Sequence, residues 1–313
     1  MTKIAITGCA SRFARVLLPL LQQDAEIEQI VGIDLAQPVE THEKVQFHQR
    51  DMRAQGLGEL FAGCDVMVHL AFVVTRPYAM PLQEAASINL EGTWNACRAA
   101  AEAGVRKLVV SSSIAAYGIL PDNPVPLREE HPLRGLYMDF YYSQHKHANE
   151  IWLDGLQLAF PTLLISRARP CIVIGPHQIA ASSLLGTNGV YFTSAPAYQG
   201  STQLVHEDDL ARAFHAMIRH DLPGAYNVVG DGSGVMPEMA AASGLQVVEL
   251  PHELLVEQAT NMWKEGLSTV GPEWISGESS IVCSNDKLRA TGHWQPRYST
   301  AEAFAATVAA FKG

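Results

Sequence analysis

Along the first 170 residues, short unbroken apolar runs alternate with stretches of helical periodicity. "KIAIT" (3–7) is closed by Gly8, the pattern of a strand buried on both faces. In "SRFARVLLPLLQQ" (11–23), Phe13, Val16, Leu17, Leu20 and Leu21 fall on one helical face. Pro19 lies inside that pattern and predicts a kink or an early end. Further strands are expected at "IVGIDL" (30–35), "VQFHQRDM" (45–52), "CDVMVHLAF" (64–72), "RKLVVSSSIAAYG" (106–118) and "TLLISRARPCIVIG" (162–175). Helices are expected at "NLEGTWNACRAAAEAG" (89–104) and "YYSQHKHANEIWLDGLQ" (141–157). Beyond residue 170 the alternation loosens. A helix at "DDLARAFHAMIRH" (208–220), a strand at "AYNVVG" (225–230) and a last helix at "TAEAFAATVAAFK" (300–312) still stand out.

Continuous apolar strands separated by helices predict an α/β fold, a doubly wound parallel sheet of Rossmann type. No internal repeat or low-complexity linker is visible, so the remainder reads as a smaller, interleaved C-terminal substrate domain. The expected division is a dinucleotide-binding part over 1–170 plus about 205–230, and a substrate part over 171–204 and 231–313.

Composition narrows the partners. Charged residues are 17% of the chain and its net charge is −10, which excludes nucleic acid or anionic lipid as the main partner. The five cysteines (9, 64, 97, 171 and 283) are isolated, with no CxxC, so reduced thiols are expected rather than disulfides or a metal site. No leader-like segment precedes the first strand and no apolar run reaches bilayer length, so the expectation is a cytoplasmic protein with no membrane partner.

In open parallel sheets, ligands gather at the carboxyl ends of the strands. Those ends carry Gly8, Asp34, Asp51, Ala71 and Ser111 to Ser113. In "ITGCASRFA" (6–14), Gly8 holds the first glycine place of a pyrophosphate turn, while Ser11 and Ala14 hold the second and third. Two readings of this stretch stand: a phosphate turn in which the Ser11 hydroxyl replaces a glycine, or a plain strand–turn–helix that Ser11 caps. Asp34 ends the next strand, where an acid bonds ribose hydroxyls and repels a 2′-phosphate; NAD is therefore expected over NADP. Tyr142 and Lys146 are four apart, on one helical face, downstream of the strand that ends in serines. A phenol, an ammonium and a hydroxyl together can exchange a proton with an alcohol. Tyr141 and His145 share that spacing without the right partner.

In this order, "ITGCASRFA", "VGIDL", "RDM", "VMVHLA", "INLEGT", "VVSSSIAAYG", "YYSQHK", "RARPCIVIGP", "LVHEDDLARA" and "GHWQPRYS" resemble an extended short-chain dehydrogenase/reductase of the NAD-dependent epimerase/dehydratase group, over nearly the whole chain. The resemblance implies roles. Tyr142 would be the catalytic acid or base, Ser113 its hydroxyl partner, and Lys146 the residue that bonds the nicotinamide ribose and lowers the phenol pKa. Arg12 and Phe13 would lie over the pyrophosphate, Asp34 on the adenosine ribose, and Asp51 with Met52 beside the adenine. Leu70, Ala71, Asn89 and Ser111 would line the cofactor, and Pro170 with Cys171 would pack beside the nicotinamide. A homodimer would use the helix of Tyr142, through Ala148, Ile151, Trp152 and Leu156, although the same residues suit a core.

Two departures bear on the substrate. Nucleotide-sugar members of the group carry an Arg just before the stretch matched by "LVHEDD"; here Thr202 and Gln203 stand in that region, and residues 177–204 contain no Lys or Arg. No acid pair follows Ser113, which disfavours a sugar dehydratase. Arg76 reads as a solvated loop residue. The expected function is an NAD-dependent oxidoreductase or epimerase acting on a small secondary alcohol or ketone. A plain dehydrogenase of a uronate-, sterol- or hydroxyacid-like substrate, or a catalytically silent NAD-binding protein, are the rivals.

Overall fold

Strand β1 (Thr2–Thr7) lies third from one edge of a seven-stranded parallel sheet. The chain runs outward from it through β2 (Ile27–Asp34) and β3 (Val45–Gln49) on one side. It then crosses back to β4 (Val66–His69), β5 (Lys107–Ser111) and β6 (Leu164–Pro170) on the other. The far edge is completed later in the chain by β10 (Gly224–Val228), which pairs with β6 from Gly224 opposite Ser166 to Val228 opposite Pro170. The computed structural model describes residues 1–178, 189–195, 200–275 and 280–312. The order reverses between β1 and β4, so the crevice between their carboxyl ends is the topological switch point.

The apolar runs are continuous because both faces of the sheet are covered. Ile4 and Ile6 pack on one side with Leu17 and Leu21 of α1 (Ala14–Gln23) and Phe214 of α6 (Glu207–Arg219). Ala5, between them, packs on the other side with Phe61 of α2 (Leu57–Phe61), Ala96 of α4 (Thr93–Glu102) and Leu153 of α5 (Tyr141–Ala159). Pro19 does not end α1, which continues to Gln23 with Leu17, Leu18 and Leu21 buried. Packing of that face outweighs one missing backbone bond.

The helix expected from residue 89 begins earlier, at α3 (Leu82–Ala86), and passes through a π turn (Ser87–Gly92) into α4. After β6, the chain forms β7 (Ile172–Ile174), which pairs with β9 (Leu204–His206), and β8 (Val190–Thr193), which pairs with β11 (Gln246–Glu249). β7 falls within the stretch 162–175 expected as one strand, whereas β8, β9 and β11 were not legible, nor were the bounds of α7 (Met236–Ala242) and α8 (His252–Lys264). The helices α9 (Asp286–Ala290) and α10 (Thr300–Lys312) close the chain. Asp209, fully buried, accepts the backbone N–H groups of Arg297 and Tyr298 at 2.8 and 3.0 Å and so ties this tail to α6. All five cysteines are free and buried. No helix among the described residues is long and apolar enough to cross a membrane.

Candidate active site

The turn after β1 is built on Gly8. Its φ is +76°, and a Cβ there would sit 2.5 Å from the Ala71 nitrogen. Only glycine lets this turn lie so close to the end of β4. Ser11 caps the helix: its Oγ accepts the N–H of Ala14 at 3.2 Å. The Ala10 N–H donates to Asp34 Oδ2 at 2.9 Å, and Leu35 N–H donates to Oδ1 at 2.6 Å. Asp34 thus fixes the turn as well as presenting a half-buried carboxylate beyond the end of β2. Among the described residues, the backbone N–H groups of Arg12 and Phe13 have no hydrogen-bond acceptor and the exposed Arg12 side chain has no acid partner. The Phe13 ring packs inward on Phe214, 5.0 Å away. Two orphan donors and one cation at a helix start fit a pyrophosphate, and the Asp34 carboxylate fits a ribose diol.

Other residues expected around the cofactor also make contacts within the protein. Asp51 lies past the end of β3 and is held by Arg53, at 2.6 Å from Nη2, which keeps its carboxyl below the usual carboxylate range. Arg53 also reaches Glu84 at 2.8 Å. Met52 is buried, and its carbonyl accepts the Asn95 amide at 2.7 Å. Leu70 is buried beside Ala71, its N–H donating to the Thr7 carbonyl at 2.9 Å. Asn89, fully buried on the π turn, bonds both the N–H and the carbonyl of Val73, at 2.7 and 3.0 Å. Its amide therefore shapes the 72–74 loop.

The helix α5 carries the reactive pair. Gly135 permits the approach of the preceding loop, because a Cβ there would meet the Ser143 carbonyl oxygen at 2.6 Å. Lys146 is buried and donates to the Ser111 carbonyl at 2.7 Å; its Nζ lies 3.5 Å from the centre of the Phe72 ring and 5.7 Å from that of Tyr142. Burial pulls the Lys146 pKa down to about 7, opposed by the Glu150 carboxylate. Ser113 accepts the Ala115 N–H at 3.1 Å, with its Oγ 3.5 Å from the carbonyl oxygen of Pro170. Tyr142 is pushed above its ordinary value by burial, and a hydrogen bond with Ser113 opposes that rise. The Lys146 ammonium is turned to the Ser111 carbonyl and the Phe72 ring. Cys171 is buried next to Pro170, and burial pushes its thiol up. Tyr141 donates to the Val74 carbonyl at 2.7 Å, so the decoy pair faces the loop.

Several polar residues around the site gave no motif. His69, at the end of β4, lies between Thr7 Oγ1 at 2.7 Å and Thr93 Oγ1 at 2.9 Å. The Thr93 hydroxyl donates to the Asn89 carbonyl at 2.7 Å, so it accepts from His69 Nε2–H and leaves Nδ1 to accept from Thr7. Burial, with Lys146 second, lowers His69 to about 3, and the ring stays neutral. Glu150, one turn below Lys146, accepts from Ser112 at 2.6 Å and from Arg169 at 2.8 and 3.0 Å. Arg169 passes on to Tyr117, and Tyr117 to Asn227, at 2.7 and 2.9 Å. Buried His and Glu inside apolar runs were the available signal, since such groups need partners. Arg76 is also corrected: it donates to the Met80 carbonyl at 2.9 Å and lies 4.5 Å over the Trp263 ring, bracing its loop. Of the helix residues considered for a dimer, Leu156 is buried, Trp152 packs partly buried against the core, and Ile151 is exposed.

The family model of the NAD dependent epimerase/dehydratase family matches residues 4–229. The chain belongs to that family. Family membership makes it an NAD-dependent enzyme. An uncharacterised protein of Mycobacterium tuberculosis is 21% identical over 313 residues, 96% of this chain and 82% of its own length. Among solved structures, UDP-glucose 4-epimerase of Thermus thermophilus, complexed with NAD, is 24% identical with a TM-score of 0.77, covering 99% of both chains. The dTDP-glucose 4,6-dehydratase DesIV of Streptomyces venezuelae, with NAD bound, is 18% identical with a TM-score of 0.75, covering 99% of this chain and 97% of its own. At these identities the likeness is one of fold.

Proposed function

We propose that this epimerase/dehydratase family member oxidises and reduces a secondary alcohol and its ketone, with Ser113, Tyr142 and Lys146 handling the proton. The observation that carries the reading is the meeting of three groups from two elements. Tyr142 and Lys146 stand on one face of α5, and Ser113 lies just past the end of β5, where its hydroxyl opposes the rise in the phenol pKa that burial causes. When bound, NAD supplies the hydride acceptor or donor for the carbinol carbon. Tyr142 takes the alcohol proton on oxidation and returns it on reduction. Ser113 steadies the phenolate that is present before the proton is taken and again after it is returned. Lys146, whose three protons are met in this structure by one carbonyl, has donors left for the nicotinamide ribose.

The same reading assigns residues 1–170 and about 205–230 to cofactor binding and 171–204 with 231–313 to the substrate; of the latter, 179–188, 196–199, 276–279 and 313 lie outside the described residues. Gly8, Asp34 and the free N–H groups of Arg12 and Phe13 would hold the dinucleotide, and Asn89 would act by fixing the adjoining loop. The Ser-Tyr-Lys set favours an enzyme over a silent binding protein.

The deciding experiment follows NADH absorbance after substrate is added to the NAD-loaded protein. Net NADH formation marks a dehydrogenase, and turnover without net NADH marks an epimerase. Turnover left intact in Tyr142→Phe would refute the assignment.

A further inference from the structure

The surroundings of Tyr142 are aromatic on three sides. Its ring centre lies 5.7 Å from that of Phe72, 6.0 Å from Phe140 and 5.2 Å from Trp274. These rings come from three separate parts of the chain: the segment after β4, the residue that opens α5, and a 3₁₀ turn (Pro272–Trp274) near the C-terminus. Phe140 and Trp274 meet edge to face at 4.9 Å, so the wall is continuous.

Charge points the same way. Residues 170–286 contain only three Lys or Arg: Arg212, Arg219 and Lys264. Arg212 bonds Asp209 and the Gln295 carbonyl, and Arg219 lies 3.4 Å from Asp24. Lys264 is the last residue of α8. Gln203 uses its amide within the fold, accepting the Cys283 N–H at 2.7 Å and donating to the Cys283 carbonyl at 3.1 Å. A diphosphate brings about two negative charges that need paired guanidinium or ammonium groups when desolvated, and within residues 170–286 Arg212 and Arg219 are already engaged, which leaves Lys264 as the single cation without such a partner among the described residues.

We infer that the substrate presents its secondary alcohol or ketone on an apolar ring, aryl or alicyclic, that carries no phosphate and packs against Phe72, Phe140 and Trp274. This rests on Tyr142 as the proton-transfer group, and deepens that reading by naming the substrate class. Stacking and edge contacts with three rings would orient a flat apolar body with its oxygen toward Tyr142.

The test measures binding and turnover separately. Acetophenone, cyclohexanone and an androstane 17-ketone are titrated calorimetrically into the protein loaded with NADH, alongside UDP and UDP-glucose. At least one ketone is expected to bind, UDP and UDP-glucose are not, and Trp274→Ala should weaken ketone binding at least tenfold with NADH affinity within twofold. The isosteric control Trp274→Phe, which keeps a ring, should retain most of the binding, so a fold defect in the alanine variant does not hide the answer. UDP or UDP-glucose binding competitively with the ketones, ketone binding unchanged in both variants, or no ketone binding at all would overturn the inference. Ketone binding that survives in Tyr142→Phe with hydride transfer also intact would count against the proton-transfer reading and leave the substrate class standing.

Discussion

The Lys146 ammonium donates to the carbonyl oxygen of Ser111 across 2.7 Å, joining the middle of α5 to the end of β5. This bond fixes the helix that carries Tyr142 against the strand that leads to Ser113. It also buries a positive charge with a single close acceptor, the physical reason its pKa falls to about 7.

That burial has a measurable signature. Lys146 loses its proton near pH 7 in the folded protein, but at its ordinary 10.5 in the unfolded chain. Between those values the unfolded state holds the extra proton, so the contribution of Lys146 to stability increases as pH rises. Urea unfolding of wild type and Lys146→Met at about pH 7 and about pH 9.5 checks this: the wild type should gain stability relative to the variant over that window.

Glu150 behaves in the opposite sense. Its folded value of about 2 lies below its ordinary 4.5, chiefly because Arg169 and Arg167 offset the cost of burying it. Its stabilisation is therefore complete above about pH 4.5 and is lost as pH falls toward 2, ~3 kcal/mol by linkage. Glu150→Gln should cost about 3–5 kcal/mol at neutral pH, since it leaves two arginines facing an uncharged group. It should also flatten the acid limb of the stability profile measured by urea titration.

The opening turn predicts a contrast between two small substitutions. Gly8→Ala introduces a Cβ into the Ala71 backbone at a positive φ, and should destabilise the protein by at least about 2 kcal/mol and weaken NAD binding. Ser11→Gly removes a helix cap worth a few tenths of a kcal/mol relative to glycine, so about that loss in thermal unfolding and NAD affinity within about twofold are expected. A marked loss of NAD affinity in Ser11→Gly would identify the hydroxyl as a phosphate ligand.

On the proposed reading, Asp34 sets cofactor choice. Asp34→Asn should weaken NAD binding about tenfold, through a lost charged hydrogen bond and a looser Ala10 contact, and should raise the ratio of NADP to NAD affinity. Fluorescence titration with both dinucleotides measures it.

The central sheet was legible because its strands are buried on both faces and read as unbroken apolar runs, as "KIAIT" does in β1. Strands β8 and β11 were not, because they form a short pair with exposed positions such as Phe192 and Glu249 and no period to follow. Of the proposed site, Gly8, Asp34, Ser113, Tyr142 and Lys146 were singled out by residue type at strand ends and by helical spacing. His69 and Glu150 did not, since their partners come from Thr93 and Arg169, far away in sequence. The aromatic wall was equally hidden, because Phe72, Phe140 and Trp274 meet only in the folded chain. Asp51, past the end of β3, also pairs with its neighbour Arg53, a contact that residue type alone did not announce.

The most direct test of the account compares wild type and Tyr142→Phe, both loaded with cofactor, using the ketone that the wild type reduces fastest. Loss of the phenol proton donor should lower the single-turnover rate of NADH oxidation by about 10²–10⁴-fold while NADH affinity stays within a few-fold. A variant that oxidises NADH at the wild-type rate would contradict the assignment of Tyr142 as the proton-transfer group.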